Sequence, residues 1–348
     1  MKGFFKLILF TLSTYLLYWI IIIIINFYYD YVPKNKLEKF TEATVINKDT
    51  LKLLIWNLGY AGLGENMDFF YEGGSEVCPN KNYYDFTLMN IKHILKKYDT
   101  ICDFILLQEV DFYSKRSYYL NQKKYIKKNL KQQIFSDSLV NYNVKFLPLP
   151  LKKPMGQVNS GLVSFSKYNP YLKFDFYFDQ TYSFPKKLFF LDRGVLIHGY
   201  LYKNNKFLFV INIHLSAFDD AIEARVKEIN VLKEIINLMV NKGHYVVVGG
   251  DWNINPPNFK LLDTSLFNPV YYTEQNNEFF NSKFKYAYDS ITATNRMVNE
   301  PFIVNKTMVS TLDYYLCSKN INILSVNSVN LQFKHSDHNP VKLMFCLN

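Results

Sequence analysis

Residues 245–253 read Tyr-Val-Val-Val-Gly-Gly-Asp-Trp-Asn, an apolar run that stops on an acid and an amide. A β-branched, aromatic stretch bounded by glycine reads as a strand with both faces covered. Outward from it the same grammar recurs at LKLLIW (51–56), FILLQEV (104–110), KFLFVINIHL (206–215), TLDYYLCS (311–318) and VKLMFCL (341–347). Between these runs the spacing changes. Leu88, Ile91, Ile94, Leu95 and Tyr98 recur at helical intervals, as do Ile222, Val226, Ile229, Leu232, Ile236 and Met239, with Gly243 placed to end the second helix. Strands alternating with helices predict an α/β (layered α+β) domain. No repeat with a period of about 20–50 residues is visible, which excludes a solenoid or propeller.

The polar residues gather where the apolar runs end. Asn57, Glu109, His214, Asp251 with Asn253, and Asp313 stand inside or directly after a run, and Ser336-Asp337-His338 precedes the last one. Strand ends meet on one rim of a sheet, where rigid elements hold a site assembled from distant residues. Glu109, Asp337 and Asn57 supply the oxygen donors that a hard cation such as Mg2+ needs. His214 and His338 can divide proton transfer and charge stabilisation. Asp313 can orient His338, while Asp251 and Asn253 can hold an attacking water. Together these parts describe metal-assisted phosphoester hydrolysis.

In order and character, IWNLGY, LLQEVD, INIHLS, VVGGDWN, STLDYYL and KHSDHNPV resemble the endonuclease/exonuclease/phosphatase superfamily over residues 51–348. The superfamily includes pancreatic-type deoxyribonucleases, bacterial sphingomyelinases and inositol polyphosphate 5-phosphatases. The resemblance implies a four-layer α/β/β/α sandwich of two mixed sheets flanked by helices. It implies Glu109 as the main Mg2+ ligand (Mn2+ being an alternative), with Asn57 beside it and Asp337 completing the metal environment. His338 would be the general base held by Asp313, and His214 would bind a phosphoryl oxygen or assist the leaving group. Asp251 and Asn253 would orient nucleophile and phosphate.

His214 separates the chain, on this resemblance, from apurinic endonucleases of the exonuclease III type. A Trp-Thr-Asp-Arg segment like that of the 5-phosphatases is absent, Thr292-Ala293-Thr294-Asn295-Arg296 being nearest, which lowers the phosphoinositide reading. The chain's 348 residues carry a formal charge of +10, which favours anionic partners. Only Arg116, Arg193, Arg225 and Arg296 are arginines. Arg116, Asn159, Arg193 and Arg296 are candidate substrate contacts. From Phe112 to Ser136 there is no acid, while Lys115, Arg116, Lys123, Lys124, Lys127, Lys128 and Lys131 accumulate among tyrosines. Such a stretch suits a polynucleotide backbone, an anionic membrane surface or a solvated helix face. Nucleic-acid phosphodiester cleavage is therefore expected first, phospholipid cleavage of the sphingomyelinase type second and an inactive scaffold third. No protein partner is inferred. Cys78, Cys102, Cys317 and Cys346 lie far apart and read as free thiols.

Leu7–Ile25 carries no charge, enough for about 28 Å of helix, close to a bilayer's hydrocarbon thickness. Lys2 and Lys6 precede it, Trp19, Phe27, Tyr28 and Tyr29 suit an interface, and Asn-Phe-Tyr-Tyr-Asp follows where a signal peptide would show small residues. Residues 1–29 are expected to be a single-pass anchor in the lipid bilayer, 30–50 a polar tether and 51–348 the catalytic domain, placed outside the cytoplasm.

Overall fold

The computed structural model describes residues 2–347, apart from 180–181, 204, 218–221, 258, 260–278 and 281. Its helices are α1 (Lys2–Tyr28), α2 (Lys81–Ile101), α3 (Gln122–Lys127) and α4 (Ile222–Asn241). The first strands are β1 (Lys36–Lys39), β2 (Thr50–Asn57), β3 (Phe104–Asp111), β4 (Phe135–Leu147) and β5 (Gly156–Ser166). Next come β6 (Leu172–Tyr177), β7 (Gly194–Tyr202), β8 (Lys206–His214), β9 (Tyr245–Asp251) and β10 (Phe284–Ala287). The last are β11 (Asn295–Arg296), β12 (Val309–Ser310), β13 (Asp313–Ser318), β14 (Ile321–Ser328) and β15 (Val341–Leu347). One mixed sheet runs β1-β6-β7-β8-β9-β13-β10 and the other β14-β15-β2-β3-β5-β4.

Strand alternation builds the layers. Leu53 and Ile55 of β2 and Leu106 of β3 point at Val210, Val247 and Tyr315 of the other sheet. The intervening Leu54, Trp56, Ile105 and Leu107 pack under Leu88, Ile91 and Leu95 of α2. On the far side Ile211, Ile213, Val246 and Val248 pack under Ile229, Leu232 and Ile236 of α4. Because side chains alternate across a strand, one apolar run fills two cores. The result is the expected four-layer sandwich.

Residues 30–50 differ from the expected tether. β1 pairs antiparallel with β6, Ile46 is fully buried, and its N–H donates to the Leu201 carbonyl at 2.9 Å. The sequence hides this because Lys-Leu-Glu-Lys is an edge strand, and charged residues are the usual protection of a sheet edge. α1 is long and apolar enough to cross a membrane by length and composition. All four cysteines are free; burial pushes the Cys102 and Cys317 thiols up to about 12.

Candidate active site

Register places the first three residues. His214, the last residue of β8, stands opposite Asp251 of β9, and Asp251 stands opposite Asp313, the first residue of β13. Three neighbouring strands thus present an imidazole and two carboxylates at one level. From the other sheet, Asn57 ends β2 opposite Gln108 of β3. The β3–β5 pairing slips between Leu107 and Val110, and within this bulge Glu109 holds φ +51°. A non-glycine residue in left-handed backbone is strained, and bulges re-aim side chains beside sites. Here the bulge turns Glu109 toward the opposing sheet, its Oε1 lying 3.9 Å from His214 Nε2. Asn253, after β9, has the same φ of +51°.

A buried amide secures the bulge. Asn212 of β8 donates to the carbonyls of Leu107 and Val163 at 3.2 and 3.0 Å and accepts from Gln108 Nε2 at 2.7 Å. Across the buried interface between the sheets, these polar bonds fix the register beside Glu109. Gly59, with φ +47°, lets the chain pass Asp337 closely: a Cβ there would lie 2.5 Å from Asp337 Oδ1.

His338 is the hub. Its Nδ1 meets Asp313 Oδ2 at 2.7 Å, its backbone carbonyl accepts from Trp56 Nε1 at 2.9 Å, and its N–H donates to Ser336 Oγ at 3.1 Å. Its Nε2 lies 3.7 Å from Asp251 Oδ2, 4.0 Å from Asp337 Oδ2 and 3.0 Å from the Asn295 amide. Burial disfavours the imidazolium, but Asp313 and Asp251 outweigh it and hold this histidine well above its ordinary pKa. His214 goes the other way: burial, reinforced by Arg193 and His338, holds it well below. Two histidines pushed apart in this way take different proton-handling roles. Burial also raises the Asp251 and Asp337 carboxyls, against the pull of His338.

The donor set fits a divalent cation. Glu109, Asp251 and Asp337 line one cleft of about 400 Å3, and the buried acids are raised because burial strips their hydration. A hard cation with oxygen ligands relieves that penalty. Asp251, Asp313 and His338 also bring ligand-type atoms within 4.8 Å of one another, but the 2.7 Å contact to Nδ1 makes Asp313 the imidazole's partner. Asn57 stands beside the acids as expected. Its Oδ1 accepts the Gly59 N–H at 3.0 Å, while its amide N–H donates to Glu109 and Asp251 at 3.1 and 3.0 Å. The backbone donor fixes the amide's orientation, so Asn57 aligns two carboxylates, and its oxygen keeps a second lone pair.

The expected catalytic and metal residues His214, Asp251, Asn253, Asp313, His338, Asn57, Glu109 and Asp337 come together. Most of the substrate candidates do not. Arg116 borders the cleft, but its guanidinium is paired with Asp111 through Nη2 at 2.9 Å and Nε at 3.1 Å and stacks 3.8 Å from the Tyr60 ring centroid. Arg296 directs Nη1 and Nη2 at the carbonyls of Leu63, Gly64, Met67, Met297 and Glu300, clamping the loop after β2. The Asn159 side chain donates to Asn143 Oδ1 within the β4–β5 hairpin, outside the cleft. Only Arg193 keeps its expected place, lining the cleft with Nη1 3.3 Å from the His214 carbonyl.

The basic segment also lies elsewhere. Ile126 and Leu130 fasten it under the α2 layer, Lys115 donates to the Pro154 carbonyl and Lys123 to Ser138 Oγ, and among the described residues no lysine lines the cleft. Sequence reasoning missed Asn212, Asn295 and the cleft's apolar wall. Asn295 carried a signal, its place beside Arg296; Asn212 carried none, being one amide inside an apolar strand.

A sequence model described as the Endonuclease/Exonuclease/phosphatase family matches residues 56–338. No curated protein sequence matches the chain. Among solved structures, an endonuclease/exonuclease/phosphatase from Beutenbergia cavernae superposes with a TM-score of 0.59 at 15% identity, covering 86% of this chain and 72% of that one. Truncated Caenorhabditis elegans TDP2 gives 0.52 at 13% identity, over 85% and 97% of the two chains. A Bacteroides thetaiotaomicron mannosyl-6-phosphatase gives 0.52 at 14% identity, over 85% and 100%. These likenesses show the shared fold, and the family match spans both sheets and every strand end that carries the site. The chain belongs to the endonuclease/exonuclease/phosphatase family.

Proposed function

We propose that this protein is a membrane-held, divalent-metal-dependent hydrolase of phosphodiester bonds. One observation carries the reading: the Asp313-His338 dyad, His214, Asp251 and Glu109 converge from both sheets with the imidazoles facing the same carboxylates. Glu109 and Asp337, with Asp251 beside them, would hold Mg2+ or Mn2+, which would supply charge stabilisation at the phosphoryl oxygens. Water adds to phosphorus, the ester P–O bond breaks, and the departing oxygen takes a proton. His338 Nε2 takes the water's proton, oriented from behind by Asp313. Asp251 and Asp337 contribute to its raised pKa beside Asp313, and a cation held by those two acids would offset their share, moving the imidazole toward neutrality while Asp313 keeps it oriented. Asp251 and Asn253 align the water, and His214, neutral and buried, donates a hydrogen bond to a phosphoryl or leaving oxygen.

Anchoring through residues 7–25, with the catalytic domain outside the cytoplasm, completes the proposal. Of the basic segment that favoured nucleic acid only Arg116 lines the cleft, and its guanidinium is paired with Asp111, which weakens the case for ranking a polynucleotide above a phospholipid. An inactive scaffold would be expected to lack a catalytic group, and the convergence of these side chains supports the enzyme reading instead. The test is hydrolysis of bis(p-nitrophenyl) phosphate by the full chain with Mg2+ or Mn2+. Turnover should vanish with chelator and fall by about a thousandfold or more in His338→Ala, with unchanged circular dichroism. Metal-independent turnover, or a wild-type rate in that variant, would refute it.

A further inference from the structure

α1 does more than lead into the domain. Ile22 and Asn26 are each 3% exposed, and with Trp19 they form a stripe at helical spacing, while the helix before Trp19 is exposed. Asn26 clasps the backbone of one residue near the end of β4, accepting the Phe146 N–H and donating to the Phe146 carbonyl, both at 2.9 Å. The Phe27 ring meets Phe184 edge-on at 6.2 Å, and Lys187 pairs with Asp30 at 3.7 Å. Trp19 lines the same cleft as Glu109 and His338. A wall of the catalytic cleft is thus a residue of the helix that is apolar enough to cross a bilayer.

This placement fixes what faces the cleft. From Trp19 to Tyr28 the helix rises only about 14 Å, so a domain clasped along that stretch has its rim at headgroup and upper acyl-chain depth. The rim has the matching chemistry. Leu151 and Phe184 are 56% and 57% exposed, with Lys152 and Lys153 after the first and Lys186 and Lys187 after Pro185 beyond the second; Lys153 pairs with Glu76 and Lys187 with Asp30, and the apolar tips are still backed by a net basic rim as at an anionic lipid surface. Within the cleft, Phe69, Leu147, Leu149 and Phe190 wall a floor made by the catalytic carboxylates and imidazoles. A polar floor beneath apolar walls fits a molecule with a phosphate at one end and hydrocarbon at the other.

Resting on the phosphoesterase reading, we infer that the substrate is a membrane lipid phosphodiester that enters from the bilayer along α1, with its chains against Trp19 and its phosphate on the histidine floor. The full chain is reconstituted in vesicles of phosphatidylcholine, phosphatidylglycerol and sphingomyelin, with Mg2+. A single-stranded oligonucleotide and bis(p-nitrophenyl) phosphate are supplied from the water.

The wild type should release lipid headgroup. In Leu151→Glu/Phe184→Glu, headgroup release should fall by about tenfold while bis(p-nitrophenyl) phosphate turnover, which also reports an intact fold, holds within about twofold. Rim depth is read separately with Phe184→Trp, whose added emission should be quenched by lipids brominated on their acyl chains. Cleavage of the oligonucleotide without headgroup release, a rim variant as active on vesicles as wild type, or unquenched emission at position 184 would each overturn the inference. If the soluble diester is untouched while emission at 184 is quenched, the hydrolase reading fails and the membrane contact stands.

Discussion

Glu109 shows how a single residue can be unfavourable for the fold and necessary for the site. Its φ of +51° suits glycine, and its carboxylate is crowded by those of Asp251 and Asp337. Glu109→Gly should therefore raise the free energy of unfolding by about 0.5–1 kcal/mol while abolishing turnover, measured by denaturant titration beside the diester assay. The dyad gives a second test. Asp313→Asn keeps the shape but presents an amide to Nδ1, so turnover should fall by about a thousandfold with little change in KM. The convergence of the candidate-site residues was legible in the sequence because each stands where an apolar run stops, a place where burial alone would not put a charge. Arg116 and Arg296 misled for a physical reason: whether a guanidinium is free depends on remote partners, and Arg296 Nη2 is held by carbonyls more than two hundred residues away in sequence.

Among the elements, the two sheets are tied at one edge by a half-buried ionic cluster. Asp137 of β4 meets Lys173 of β6 at 2.9 Å and His198 of β7 at 3.0 Å, and Lys173 also meets Asp175 at 3.1 Å. Burial raises the Asp137 carboxyl, but His198 and Lys173 overcome this and hold it well below the usual range. A depressed folded-state pKa contributes stability that is complete above the unfolded value near 3.8 and is lost as pH falls through the folded one. Asp137→Asn should accordingly lower the urea midpoint at pH 7, costing about 2–4 kcal/mol, with the gap to wild type narrowing on acidification below about pH 4. The sequence displayed the central strands, whose apolar runs serve two cores, but not the β4–β5 hairpin or β6. β4 and β6, at or next to a sheet edge, mix half-buried polar and apolar positions, as FSDSLVNYNVKFL does, and polar residues likewise interrupt β5, so none has an unbroken apolar run to read.

At the scale of the whole molecule, the catalytic body begins earlier than its composition suggests, since β1 and Ile46 belong to it. A chain starting at residue 30 should be more stable than one starting at residue 51 by at least about 2 kcal/mol, the worth of one buried isoleucine, as read by thermal or denaturant unfolding. The apolar anchor could be read from the chain alone, whereas its seat on the domain could not, because that seat consists of a few pairings such as Asn26 with Phe146. The clasp has a kinetic consequence. With α1 ending at Tyr28 and β1 starting at Lys36, the body cannot swivel like a ball on a string. Held in a bilayer as proposed, it would patrol a plane, meeting only what lateral diffusion carries beneath it, so inert lipid mixed into the same leaflet should slow it while diluting the vesicles in more buffer should leave its pace unchanged.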